Sequence, residues 1–153
     1  MLLAAGCAKS PPVVTDVEGT LLLNDQPLAN AQVQFMPELT GFGAEMNSTA
    51  ITDDKGQFHL TTGRGDAGAV VGKHRVVVTE APLPPSMRGQ DQQSQEKMSA
   101  YLAKLKNRPI PTGYGSYSQT PLFVEVTAAI ECRLQGCPKA GAGVRVEISD
   151  DRS

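Results

Sequence analysis

A chain of 153 residues with a formal net charge of -2 has the length of one domain and no broad basic field, which argues against nucleic acid as a partner. Aromatic residues make up 5% and tryptophan is absent, so Val, Leu, Ile and a few Phe must fill the interior. That composition suits strands better than long helices.

The N-terminus reads MLLAAGC and then passes into AKSPP. Small residues directly before a cysteine, followed by a polar proline-containing run, resemble the lipobox of bacterial lipoproteins, in which the signal peptide is cut ahead of the cysteine and that cysteine is lipidated. The resemblance implies a signal remnant at 1–6, a lipid on Cys7 and a linker over 7–13. It implies a place in the cell envelope, periplasmic or at the outer surface, with the membrane as a partner through the lipid. Ala4 stands where Leu is usual, and six residues are too few for a charged n-region plus an apolar h-region, so the natural start is expected upstream of Met1.

A first strand is expected over Val14 to Leu23, with Gly19 marking a bulge or a close approach. Asn24 to Pro27 form a turn. Val33 and Phe35 then alternate with Gln32 and Gln34 in a half-buried strand over Ala31 to Met36, stopped by Pro37. Glu38 to Asn47 is a Gly-containing loop. Ala50 to Leu60, AITDDKGQFHL, reads as a β-hairpin with arms at Ser48 to Thr52 and Gln57 to Thr62. Its turn is shaped by Asp53, whose side chain can accept a backbone N–H two residues on, and by Gly56 in the left-handed region. That chemistry accounts for Asp53 and Asp54 without calcium, since the spacing lacks alternating oxygen ligands and a closing Glu. Arg64, Gly65 and Asp66 spell RGD, but a Gly-rich turn supplies these residues anyway.

Gly72 to Glu80 is the clearest strand. Val76 and Val78 face inward together with His74, expected as a rim residue whose ring packs while a nitrogen reaches solvent or a backbone carbonyl; Arg75, Val77 and Thr79 face the other way. Residues 81–119 break the pattern as an insertion. Within it Asp91 to Lys106 turns helical, with Met98, Tyr101, Leu102 and Leu105 on one side. Two uses are open for this helix: a cover over an edge or end of the domain, or a partner-binding surface. Strands follow at Pro121 to Thr127, with Leu122, Val124 and Val126 on one face, and at Val144 to Ser149. Between them, Cys132 and Cys137 flank RLQG; a bridge between them is expected, with free thiols and then a metal site as alternatives.

The runs VEGTLLLNDQPLANAQVQFMPE, AITDDKGQFHLTTG, GAVVGKHRVVVTE and PIPTGYGSYSQTPLFVEV, taken in order, resemble small bacterial lipoproteins of the carboxypeptidase-regulatory-like, or transthyretin-like, group. Gly19, Pro27, Leu28, Ala31, Val33 and Phe35 carry the first part of the shared pattern. Thr52, Asp53, Gly56, Phe58 and Leu60 carry the second, and Gly72, Val76 and Val78 the third. Val71 stands where Pro is common and His74 where Tyr is. The resemblance implies an all-β, seven-stranded Greek-key β-sandwich over 14–153 with one short inserted helix, and a non-catalytic module without cofactors.

Function is therefore expected to be binding or structural, with an envelope protein or a glycan as partner. A transthyretin-fold hydrolase is the weaker alternative, because those enzymes use several His with an Arg and a C-terminal Tyr-Arg-Gly-Ser motif, whereas this chain has His59 and His74 and ends SDDRS. No HExxH sequence or nucleophile elbow is present. For a sugar platform, the available aromatics are Tyr101, Tyr114, Tyr117 and Phe42.

Overall fold

The computed structural model describes residues 11–127 and 142–148; Cys7, Cys132 and Cys137, with the lipid and bridge expected of them, lie outside these. The strands are β1 (Val14–Thr15), β2 (Val17–Leu23), β3 (Gln26–Pro27), β4 (Ala31–Pro37), β5 (Ser48–Ile51), β6 (Gln57–His59), β7 (Thr61–Thr62), β8 (Ala69–Val70), β9 (Gly72–Glu80), β10 (Phe123–Val126) and β11 (Ala142–Ile148), with one α-helix, α1 (Gln92–Lys104). One sheet has the order β10-β9-β4-β5-β7. In the other, β11 runs parallel to β2, and β6 and β3 pair in succession with Glu18–Thr20 and Leu22–Leu23 of β2; β1 and β8 form a small separate ladder.

The alternation read in the sequence becomes the core of this β-sandwich. Val33, Phe35, Val76 and Val78 meet Val17, Leu21, Leu23, Phe58, Val146 and Ile148 in one cluster. The rings of Phe35 and Phe58 lie 6.1 Å apart, centre to centre. Each fully buried side chain of this size contributes about 1.5–3 kcal/mol by leaving water. Gly19 is where β2, β6 and β11 come closest: a Cβ there would stand 2.3 Å from the Val144 carbonyl oxygen and 2.5 Å from a Phe58 ring carbon.

The AITDDKGQFHL stretch is a corner rather than a simple hairpin. Its turn is tight, with Gly56 at φ +73°. The Gly56 N–H donates to the Asp53 carbonyl at 3.0 Å. Asp53 Oδ1 accepts the N–H groups of Lys55 at 2.8 Å and Gln57 at 2.9 Å. Beyond the turn the arms separate: β5 pairs with β4, β6 crosses to pair with β2, and β7 returns to β5. Thr52 pins the corner. Buried at 2% exposure, its hydroxyl donates to the Leu28 carbonyl at 2.6 Å and accepts the Ala31 N–H at 3.0 Å.

The helix is not the cover expected over an edge or end of the sandwich. It starts one residue later than expected, because Asp91 is its N-cap, accepting from the Ser94 N–H at 3.0 Å. It ends at Lys104, well before Pro109, and none of its residues is buried. Met98, Tyr101 and Leu105 are half-buried and Leu102 is 49% exposed. Its main neighbour is the 3-10 turn Pro85–Met87 of the same insertion. The loop after the helix covers the edge instead. Where β10 stops pairing with β9, the Val76 N–H donates to the Leu122 carbonyl at 3.0 Å and the Thr120 hydroxyl to the Val76 carbonyl at 2.6 Å. The root of the insertion is clamped by Asn107, whose amide donates to the Leu23 and Gln26 carbonyls, and by Arg108, which pairs with Glu80 at 2.8 Å and donates to the Ala29 carbonyl at 2.6 Å.

His74 is not a rim residue. It is fully buried, 5.7 Å from the Phe35 ring centre. Nε2 lies 2.6 Å from the Val70 carbonyl, a contact that makes it the donor, while Nδ1 has no hydrogen-bond partner. Burial holds its pKa below the ordinary histidine value, opposed by the hydrogen bond to the Val70 carbonyl.

Candidate functional site

The outer face of the larger sheet carries an anomaly: large apolar side chains left in solvent. On β10, Phe123 is 56% exposed because its neighbours Leu122, Val124 and Val126 take the inner side. Register places Phe123 opposite Arg75 on β9, and Arg75 opposite Met36 on β4. The next row pairs Glu125 with Lys73.

Arg75 gathers these residues. Its guanidinium carbon lies 4.7 Å from the centre of the Tyr117 ring and 5.2 Å from that of Phe123. Nη1 donates to the Tyr117 carbonyl at 2.9 Å, and Nε meets Glu38 Oε1 at 3.3 Å. A planar cation against two ring faces gains from their quadrupoles, and the hydrogen bond fixes the Tyr117 loop in place. Tyr117 is 44% exposed and Leu39 36%. Beside them opens a groove of about 310 Å³ lined by Met36, Leu39, Phe42, Met46, Asn47 and Tyr117. The result is two partly exposed rings about one guanidinium, with the Glu38 carboxylate beside it, where the β9–β10 pair meets the Tyr117 loop. Such an arrangement can hold a ligand; it contains no group placed to attack one.

A second groove, of about 360 Å³, lies on the opposite sheet, lined by Glu18, Thr20, Gln57, His59 and Arg145 around the backbone of Gly19 and Val144. His59 Nε2 is 3.3 Å from Glu18 Oε2, and the two side chains are 70% and 59% exposed. A His–carboxylate pair is the start of acid–base chemistry, but here it stands in open solvent, where electrostatic effects are weak. His74 has no such partner.

Of the aromatics considered for a sugar platform, Tyr117 and Phe42 line one groove. Tyr114 packs against the core and Tyr101 stays on α1. The stripe Met98, Tyr101, Leu102 and Leu105 is not part of the platform. Sequence reasoning passed over Arg75 and Phe123; the available signal was a phenylalanine at an outward position of an alternating strand. The RGD tripeptide is closed on itself, since Arg64 Nη2 bonds Asp66 Oδ2 at 3.0 Å and the Thr62 hydroxyl accepts the Asp66 N–H. Among the described residues, no three His, Cys, Asp or Glu side chains come together as metal ligands. No helix among them is long and apolar enough to cross a membrane.

Comparison with family models, curated proteins and solved structures finds no match to this chain.

Proposed function

We propose that this chain is a non-catalytic, lipid-anchored module of a bacterial cell envelope, tethered through Cys7, which captures a partner on the Arg75–Tyr117–Phe123 platform. The observation that carries the reading is Phe123, more than half exposed on the edge strand β10 and stacked with an arginine whose other contacts hold Tyr117. A ligand stacked on the exposed part of Phe123 would gain by removing that apolar surface from water.

The fold is proposed to be the seven-stranded Greek-key sandwich of the transthyretin-like, carboxypeptidase-regulatory-like group. In support, seven of the described strands are three residues or longer. The motif residues also have structural work that explains their type: Gly19 a close approach, Thr52 a double hydrogen bond, and Gly56 a left-handed turn packed on the Leu21 carbonyl.

The test is co-sedimentation of the unlipidated chain with delipidated bacterial envelope fragments. Phe123→Ala should reduce retention at least fivefold at unchanged circular dichroism. Equal retention of both proteins would reject the platform as the binding face.

A second reading, a hydrolase working at the second groove, is favoured by the His59–Glu18 pair with Arg145 in the same groove. It would be supported by ester or amide turnover that His59→Ala abolishes.

A further inference from the structure

We infer that the ligand of the Arg75–Tyr117–Phe123 platform is a neutral saccharide, stacked on Phe123 and Tyr117 and hydrogen-bonded by Arg75 and Glu38; this rests on the reading of the platform as the binding face. Three properties of the surface select that chemistry.

The first is charge balance. Arg75 is paired with Glu38 at 3.3 Å, and Lys73 stands opposite Glu125 in the adjacent row. The opposite charges of the two rows offset one another, and a charged ligand at Arg75 would have to compete with Glu38 or be repelled by it, whereas a neutral one would not.

The second is the mixture of groups. A sugar ring has an apolar C–H face and a polar rim of hydroxyls that both donate and accept. Phe123 and Tyr117 offer ring faces, and between them a guanidinium that only donates sits beside a carboxylate that only accepts. A purely apolar ligand would leave both unused and desolvated, at a cost for each.

The third is size. Leu39, Tyr117 and Phe123 are the large exposed apolar side chains around Arg75; Ile51, 55% exposed on β5, stands apart from them on the same sheet. A stable protein interface takes about 20–30 residues a side, far more than this patch offers. The groove of about 310 Å³ beside Tyr117 is instead at the small end of small-ligand clefts. The site is also preorganised, since Arg75 holds the Tyr117 carbonyl and ring before anything binds.

The experiment is isothermal titration of the 153-residue chain with neutral maltohexaose, cellohexaose and N-acetylchitohexaose, and with an acidic oligogalacturonate. Saturable binding of at least one neutral hexaose is expected, weakened at least tenfold by Phe123→Ala and less than twofold by Leu102→Ala on α1. Two results would overturn the assignment of a neutral saccharide while leaving the platform standing: Phe123-dependent binding of the acidic sugar alone, or binding of none of the four sugars while Phe123-dependent retention on envelope fragments persists. Neutral hexaose binding that Phe123→Ala leaves intact would overturn the assignment of the ligand to this site. Loss of both sugar binding and Phe123-dependent retention would overturn the assignment together with the reading it rests on.

Discussion

Arg75 holds Tyr117 twice, through a 2.9 Å hydrogen bond from Nη1 to the Tyr117 carbonyl and through its guanidinium 4.7 Å from the centre of the Tyr117 ring. A strand residue thereby fixes a loop residue 42 positions away, and the loop lies where the β9 edge needs cover. Arg75→Ala is expected to cost about 1 kcal/mol, most of it from the ring contact and the hydrogen bond, because a solvent-exposed ion pair contributes little. Arg75→Lys should recover less than half of this, since an ammonium has no planar face or fork. Urea unfolding of the three proteins measures both.

The Thr52 hydroxyl joins two backbone groups that have left regular pairing. Thr52→Val keeps the shape and removes the hydroxyl, leaving the Ala31 N–H and Leu28 carbonyl unpaired in a buried site, at an expected cost of about 1–3 kcal/mol. The urea midpoint should fall with little change in slope.

Gly56 and Gly65 both have positive φ, at +73° and +95°. A Cβ at Gly65 meets nothing within 4 Å, while one at Gly56 would lie 2.6 Å from the Leu21 carbonyl oxygen. Gly65→Ala should therefore cost about 1–2 kcal/mol for the backbone alone. Gly56→Ala should cost about 1–3 kcal/mol more, because the corner must also move off β2. Equal thermal shifts for the two variants would contradict this packing.

His74 gives the stability a pH dependence of defined sign. Its folded pKa lies below the ordinary 6.5 because burial disfavours charge. Below about pH 6.5 the unfolded chain takes up a proton that the native state refuses, so stability falls as pH drops toward the folded pKa, by at most about 1.4 kcal/mol per pH unit for one proton. Glu45 and Asp91 also have lowered pKa values, Glu45 first through backbone hydrogen bonding at Gly43 and Asp91 first through the Ser94 side chain. Their effect persists in His74→Leu, so the difference between wild type and variant, followed by urea unfolding from pH 7 to 5, isolates the histidine. The variant should show the shallower decline.

The parts of this fold that local chemistry dictates were legible in the sequence. Period-two alternation gave β4 and β9 to within a residue, and the DDKG turn declared its glycine. Which sheet each arm of that turn joins is a long-range matter. Phe58 must sit under Gly19 of β2, and nothing within AITDDKGQFHL encodes that pairing. The same limit hid the platform, because Arg75, Tyr117 and Phe123 meet only when β10 docks on β9 and the preceding loop folds back. The apolar stripe of α1 was the more visible local pattern and drew attention to a helix that the core does not bury.

The central claim is that partner capture belongs to the outer face of the β10–β9 pair and not to α1. The direct measurement is co-sedimentation with delipidated envelope fragments of three proteins side by side: wild type, Phe123→Ala and Met98→Ala/Leu102→Ala. Phe123→Ala should lose retention at least fivefold, and the helix variant should be retained like wild type. Retention by Phe123→Ala with loss in the helix variant would contradict the claim.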